Sequence, residues 1–141
     1  MEVEKTMENE KEKVAVVIPI NTKPVASNVL AGNLACGRPV GLEVRVESGA
    51  RKAENEENIY LVDTIVHCGA DEVGFHVSVA VQSRVFALGE EQTIYETMKN
   101  SVRDISFQMA EDMIFKLSAI HGTPVKIELL KHIQEQESNE Q

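Results

Sequence analysis

The longest unbroken apolar run in this chain is five residues, Val14 to Ile18, where a membrane-spanning helix needs about 20. Residues 1–13 are charged throughout and lack the apolar stretch of a secretory signal. The expectation is a cytoplasmic protein with no membrane insertion. Cysteine is scarce: Cys36 and Cys68 lie 32 positions apart (68 − 36) with no CxxC spacing. Both read as small buried hydrophobes in a reducing compartment. Basic residues are outnumbered by acidic ones, 14 to 23, and the formal charge of −9 repels phosphates. Nucleic acid is thereby disfavoured as a partner, and so are anionic membrane surfaces. Tryptophan is absent and aromatic residues make up 4% of the chain, so valine does most of the hydrophobic filling.

Recognisable chemistry is missing too. The sequence holds no glycine-rich phosphate loop, no GxSxG, no HExxH and no clustered Cys/His. His67, His76, His121 and His132 fall on separate elements, with His67 and His76 near enough along the chain to face each other across a hairpin. Asp63 interrupts an apolar strand, and a buried carboxylate needs a partner, so either an edge position or a pairing with Arg84 across the sheet is expected. No catalytic residue, metal ligand or cofactor is expected, and the chain is not read as an enzyme.

What is present is one domain's worth of ordinary globular sequence, 43% apolar and 26% charged. Residues 1–13 and 131–141 are polar tails without periodicity, which leaves a single domain over 14–130. Within it, Val14 to Ile20, Leu42 to Glu47, Asn58 to His67 and Gly74 to Leu88 have strand character. The connectors are too short for parallel crossovers, so the strands should pair as an antiparallel meander. The period then changes. Ile94, Met98, Val102, Ile105, Met109, Met113, Leu117 and Ile120 recur every three or four residues, with Thr93 as N-cap and Gly122–Pro124 as the stop. Weak helix formers at Asn100, Ser101 and Asp104 allow a break near 101–104. Residues 21–41 carry no clear pattern. The order predicts an α+β fold, a four-stranded antiparallel sheet followed by two C-terminal helices on one face.

Strands 58–67 and 74–88 read as apolar on both faces, though helices can cover only one. The other face should meet a second subunit or a bound chain, so a homo-oligomer, dimer or tetramer, is expected. Asp71 and Glu72 in the hairpin turn are turn residues that could also dock a basic partner.

This order of elements resembles the SecB family of export chaperones over roughly residues 39–130. Pro39 to Glu47 is similar to the family's second strand, which follows a proline, and Gln82-Ser83-Arg84-Val85-Phe86-Ala87-Leu88-Gly89 to the end of its fourth. Ile105 to Asp112 lies where the family has an Ile-Leu-Phe-Pro-Tyr-Ala-Arg-Glu stretch, with Gln108, Met109 and Glu111 as departures. Gly122-Thr123-Pro124, then Ile127 and Leu129, is similar to the family's exit and its strand-like terminal piece.

The resemblance implies an ATP-independent holdase that keeps unfolded or pre-export polypeptides in an apolar groove. Tyr60, Val62, Phe86, Phe107, Met109 and Met113 are the candidates for client binding. It also implies delivery to a translocase motor, or protection of a dedicated client such as an antitoxin, as solitary homologues do. Val79 stands where well-studied members carry an acidic residue facing the motor, so the translocase expectation rests on a position that this chain changes. The acidic surface would favour basic client segments. The alternatives are a hotdog-type enzyme, whose long helix precedes most of its sheet, and a non-catalytic oligomeric scaffold or adaptor.

Overall fold

The computed structural model of the protein describes residues 14–30, 32, 37 and 40–131. The tails at 1–13 and 132–141, with Cys36, Pro39 and His132, lie outside the described residues. Strands β1 (Val16–Leu30), β2 (Glu43–Lys52), β3 (Ile59–Ala70) and β4 (Phe75–Leu88) are followed by helices α1 (Glu91–Ser101) and α2 (Arg103–Ile120).

The sheet is four-stranded, antiparallel and ordered β1-β4-β3-β2. Strands β2, β3 and β4 form the expected meander. The correction concerns β1, which lies against β4, so that β1 and β2 are opposite edges. It is also twice the length that its β-branched start suggests, running through residues that carry turn-type amino acids. An edge strand tolerates them because one rail of its backbone needs no partner. The ladder with β4 slips between Pro19 and Asn21 and again between Pro24 and Ala26, which accommodates both prolines as bulges.

Alternation decides what each face meets. Val66, Cys68, Val77, Val79, Val81 and Val85 point to the helices and are almost fully buried. Two apolar clusters result. One gathers Val66, Phe75, Val77 and Val79 under Phe107, Ala110 and Ile114 of α2; the other gathers Tyr60, Val62, Val85 and Ala87 under Ile94, Met98 and Val102. Between them runs a buried polar line, in which the Ser83 hydroxyl meets that of Thr22 at 2.8 Å and that of Ser106 at 3.2 Å. Satisfied hydroxyls of this size let α2 approach the sheet closely without an orphaned donor.

Gly89 turns β4 into α1 at φ +139°, and a Cβ there would lie 3.1 Å from the Ala15 backbone. The first helix begins at Glu91 with Glu90 as N-cap, three residues before the expected Thr93. The break falls at Val102, whose N–H still bonds Met98 O at 3.0 Å, so helical bonding bridges the kink. Gly122 closes α2 at φ +89°, as its position suggests.

Beyond it, the expected strand-like piece is not a strand. Residues 123–128 have no regular structure and 129–131 form a helical turn. Helix α2 supplies its bonds: Thr123 N donates to Ser118 O (3.0 Å), Val125 N to Ser118 Oγ (2.8 Å) and Leu129 N to Glu111 Oε1 (2.6 Å).

Cys68 is under 2% exposed, and burial raises its thiol pKa above the ordinary value. The thiol therefore stays protonated and shielded. In a Cys36→Ser chain, Cys68 is expected to react with a thiol reagent only on unfolding; fast native-state labelling would contradict its placement.

Candidate functional site

The two helices do not cover the sheet evenly. Among the described residues they lie mainly over β4, β1 and part of β3, and they cover the helix-facing side of β2 only in part, Val44 and Val46 being half-buried against the α2 cluster. The result is a cleft of about 580 Å³. Its floor is the alternate residues Val44, Val46, Ser48 and Ala50 of β2 with Val62 and Thr64 of β3. Its wall is Tyr95, Met98 and Lys99 of α1 with Arg103 and Phe107 of α2. At roughly 3.3 Å per strand residue, the floor from Val44 to Ala50 extends about 20 Å, the reach of a six-residue extended segment.

Each wall residue has a local cause. The helical repeat that buries Ile94 and Met98 rotates Tyr95 and Lys99 toward the rim. Tyr95 stands edge-on to Tyr60, with ring centroids 5.5 Å apart and planes at 89°. Burial first, and then the charge of Glu91, raises the Tyr95 pKa, so its phenol is a neutral hydrogen-bond donor at physiological pH. Arg103 opens α2 immediately after the kink. Its Nε is buried without a hydrogen-bond partner among the described residues, and the nearest carboxylate, Asp104 Oδ1, stands 3.7 Å away.

Of the residues nominated from sequence, Val62 and Phe107 line this cleft together, and Tyr60 lies behind it through Tyr95. Met109 and Met113 are half-buried against the α2 cluster, away from the cleft. Phe86 is on the opposite face, paired with Ile18 and Ile59. Asp71 and Glu72 are exposed on the 3₁₀ turn between β3 and β4, where Asp71 Oδ1 accepts from His76 Nε2 at 3.0 Å.

The open face of the sheet departs from expectation. Its most continuous apolar area is at one end, where Val16, Ile18, Ile59, Leu61, Phe86 and Leu88 gather, with Ile65 and Ala80 near the middle and exposed Leu30 opposite His76. Beyond it Arg84, Gln82, Ser78 and His76 take outward positions of β4 on either side of Ala80, so the face there is mixed. Asp63 pairs with Arg51 and accepts from Gln82 Nε2 at 3.0 Å; the expected Arg84 pairs with Glu56 instead. The register explains this, since Asp63 stands opposite Gln82 and Gly49 while Arg84 stands opposite Leu61. His67 Nδ1 meets Ser78 Oγ at 2.7 Å, so His67 and His76 have separate partners rather than each other. Among the described residues no group of three His, Cys, Asp or Glu could hold a metal ion, and no helix is long and apolar enough to cross a membrane.

Val44, Val46, Tyr95, Met98, Lys99 and Arg103 escaped nomination. The alternation of Val44 and Val46 marks them as half-buried, but nothing local says that the helices stop short of them.

No family model matches the chain, and no curated protein matches its sequence. Solved structures do share its fold. A SecB-like chaperone of Mycobacterium tuberculosis, solved in complex with a ChAD peptide from the HigA1 antitoxin, superposes with a TM-score of 0.66 at 7% identity, over 79% of this chain and 86% of that one. A protein of unknown function from Streptococcus agalactiae superposes at TM-score 0.53 and 12% identity, over 82% and 98%. The fold is SecB-like: a four-stranded antiparallel sheet with C-terminal helices on one face.

Proposed function

We propose that the protein is a non-catalytic chaperone that holds unfolded polypeptide in the cleft between β2 and the helices. The observation that carries this reading is an apolar cleft at the β2 edge of the sheet, where half-buried Val44 and Val46 lie beside buried Val62 and are walled by Met98, half-buried Tyr95 and Phe107. A fold shared with a chaperone solved on an antitoxin peptide supports it.

The energetics suit reversible, sequence-tolerant holding. Each client Val, Leu or Phe taken out of water contributes about 1.5–3 kcal/mol. A segment placing three such side chains in the cleft gains about 5–9 kcal/mol gross on that scale, and ordering the segment offsets several of these. With about 3 kcal/mol taken off for ordering, the net of about 2–6 kcal/mol corresponds to dissociation constants from tens of micromolar to tens of millimolar per cleft, weak enough to release without nucleotide. Within this reading Val62 and Phe107 remain client-binding residues, joined by Val44, Val46, Tyr95 and Met98. Met109 and Met113 serve the core.

The apolar end of the open face is assigned to a second copy. Ile18 is 51% and Leu88 45% exposed there, and Val14 and Ile20 extend the patch along the β1 edge. A dimer or tetramer would cover it and leave the β2 cleft on the opposite edge accessible. Delivery to a translocase motor, protection of an antitoxin client and a cytoplasmic setting extend the same proposal.

The test is an aggregation assay. With a client that scatters light on dilution from denaturant, the protein should suppress scattering near stoichiometric ratio without nucleotide, and native mass measurement should show a dimer or tetramer. Unchanged scattering from a folded oligomer would favour a scaffold or adaptor.

A further inference from the structure

The cleft differs in charge from the chain that carries it. The protein is −9 overall, yet the charged residues lining the cleft are Arg45, Lys99 and Arg103, all basic, with no carboxylate among them. Arg45 is shared with Glu47, whose carboxylate stands 4.0 Å from its Nε at an exposed edge. Lys99 has no ion-pair partner among the described residues, and Arg103 Nε has no hydrogen-bond acceptor there. Arg103 Nε stands 3.7 Å from Asp104, but the Arg103 side chain is 29% exposed, and the rest of its guanidinium together with exposed Lys99 offers an arriving carboxylate charge-assisted bonds.

Resting on the holding function above, we propose that the cleft selects extended segments in which apolar residues flank a carboxylate, with Arg103 and Lys99 receiving it. The occupant is therefore an acidic-apolar stretch of client chain rather than a basic one, the opposite of what the net charge suggests. Net charge acts at long range and is screened within about 10 Å at ordinary ionic strength, whereas Arg103 acts at contact in a partly dry site. Acidic segments are thus disfavoured during approach and favoured once seated. Valines 44 and 46 hold the flanking side chains, and the kink at Val102 sets Lys99 and Arg103 one helical turn apart on the same wall.

The experiment uses the full-length protein and three fluorescein-labelled peptides of one alternating valine–serine pattern, differing only in a central Glu, Gln or Lys. Anisotropy titration at low salt should rank them Glu, Gln, Lys, with Glu at least about tenfold tighter than Lys, the scale of one charge-assisted bond. Raising the salt should compress that ranking. Arg103→Gln and the exposed Lys99→Gln should each shrink the ratio of Glu-peptide to Gln-peptide affinity, and Arg84→Gln on the opposite face should leave all three affinities unchanged. Equal affinity for all three, or a preference for Lys, overturns the proposal and leaves the holding function standing. Failure of all three to bind, as when a second copy closes the cleft, overturns both.

Discussion

A chain carrying Val46→Asp is expected to lose at least about thirtyfold in affinity for an unfolded client while keeping its fold. The apolar contact that Val46 offers a client side chain is worth about 1.5–3 kcal/mol. The substitution removes it and also forces any occupant to desolvate a carboxylate, a further cost of about 1–3 kcal/mol. Even the low end of the sum, about 2.5 kcal/mol, is more than a thirtyfold change. The fold should survive because Val46 is half-exposed on an edge strand, so the variant's own carboxylate remains hydrated when the cleft is empty. Anisotropy with a labelled client, alongside circular dichroism, checks both halves of the expectation. The matching change on the opposite face, Phe86→Asp, should lower the native mass and spare client affinity per protomer.

Leu129→Ala is expected to destabilise the fold by about 2–5 kcal/mol, the usual range for emptying a fully buried leucine site. Leu129 is 0% exposed and packs with Val125 into the cluster beneath α2, although it lies in a segment without a strand or long helix. Its burial is fixed by the bond from its own N–H to Glu111, so the remaining alanine cannot move inward to fill the gap. Urea unfolding should show a lower midpoint with an unchanged slope. A loss below about 0.5 kcal/mol, the size of an ordinary surface change, would show that residues 123–131 are an appendage rather than part of the core.

Both expectations depend on features that the sequence reveals unequally. The period of two from Phe75 to Leu88 and the spacing of three or four from Ile94 to Ile120 each carry their element almost to the residue, because every turn of the pattern buries a side chain. Strand β1 was legible only in its β-branched start. Beyond Ile20 its partner β4 supplies the regularity, and bulges at both prolines erase the alternation that would have shown it. The Asp63 pairing was misread for a related reason, since pairing depends on register and a shift of one residue changes every partner.

The site was less legible than the fold. Val62 and Phe107 were visible as apolar residues at strand and helix positions, but so were Met109, Met113 and Phe86, which face elsewhere. Which apolar residues remain uncovered depends on where the helices end and kink over the sheet, a matter of tertiary placement. The low aromatic content, 4%, weighs differently once Tyr60, Tyr95 and Phe107 prove to be gathered at or just behind the cleft. Half of the Phe and Tyr residues, three of six (4 Phe and 2 Tyr), are concentrated there.

The most direct measurement of the central claim is site-specific photocrosslinking. A photoreactive residue at Tyr95, on the cleft wall, should crosslink to an unfolded client added in equimolar amount, and the same residue at Phe86 should crosslink to a second copy of the protein. Client adducts formed from Phe86 and not from Tyr95 would place the bound chain on the open face of the sheet and contradict the account.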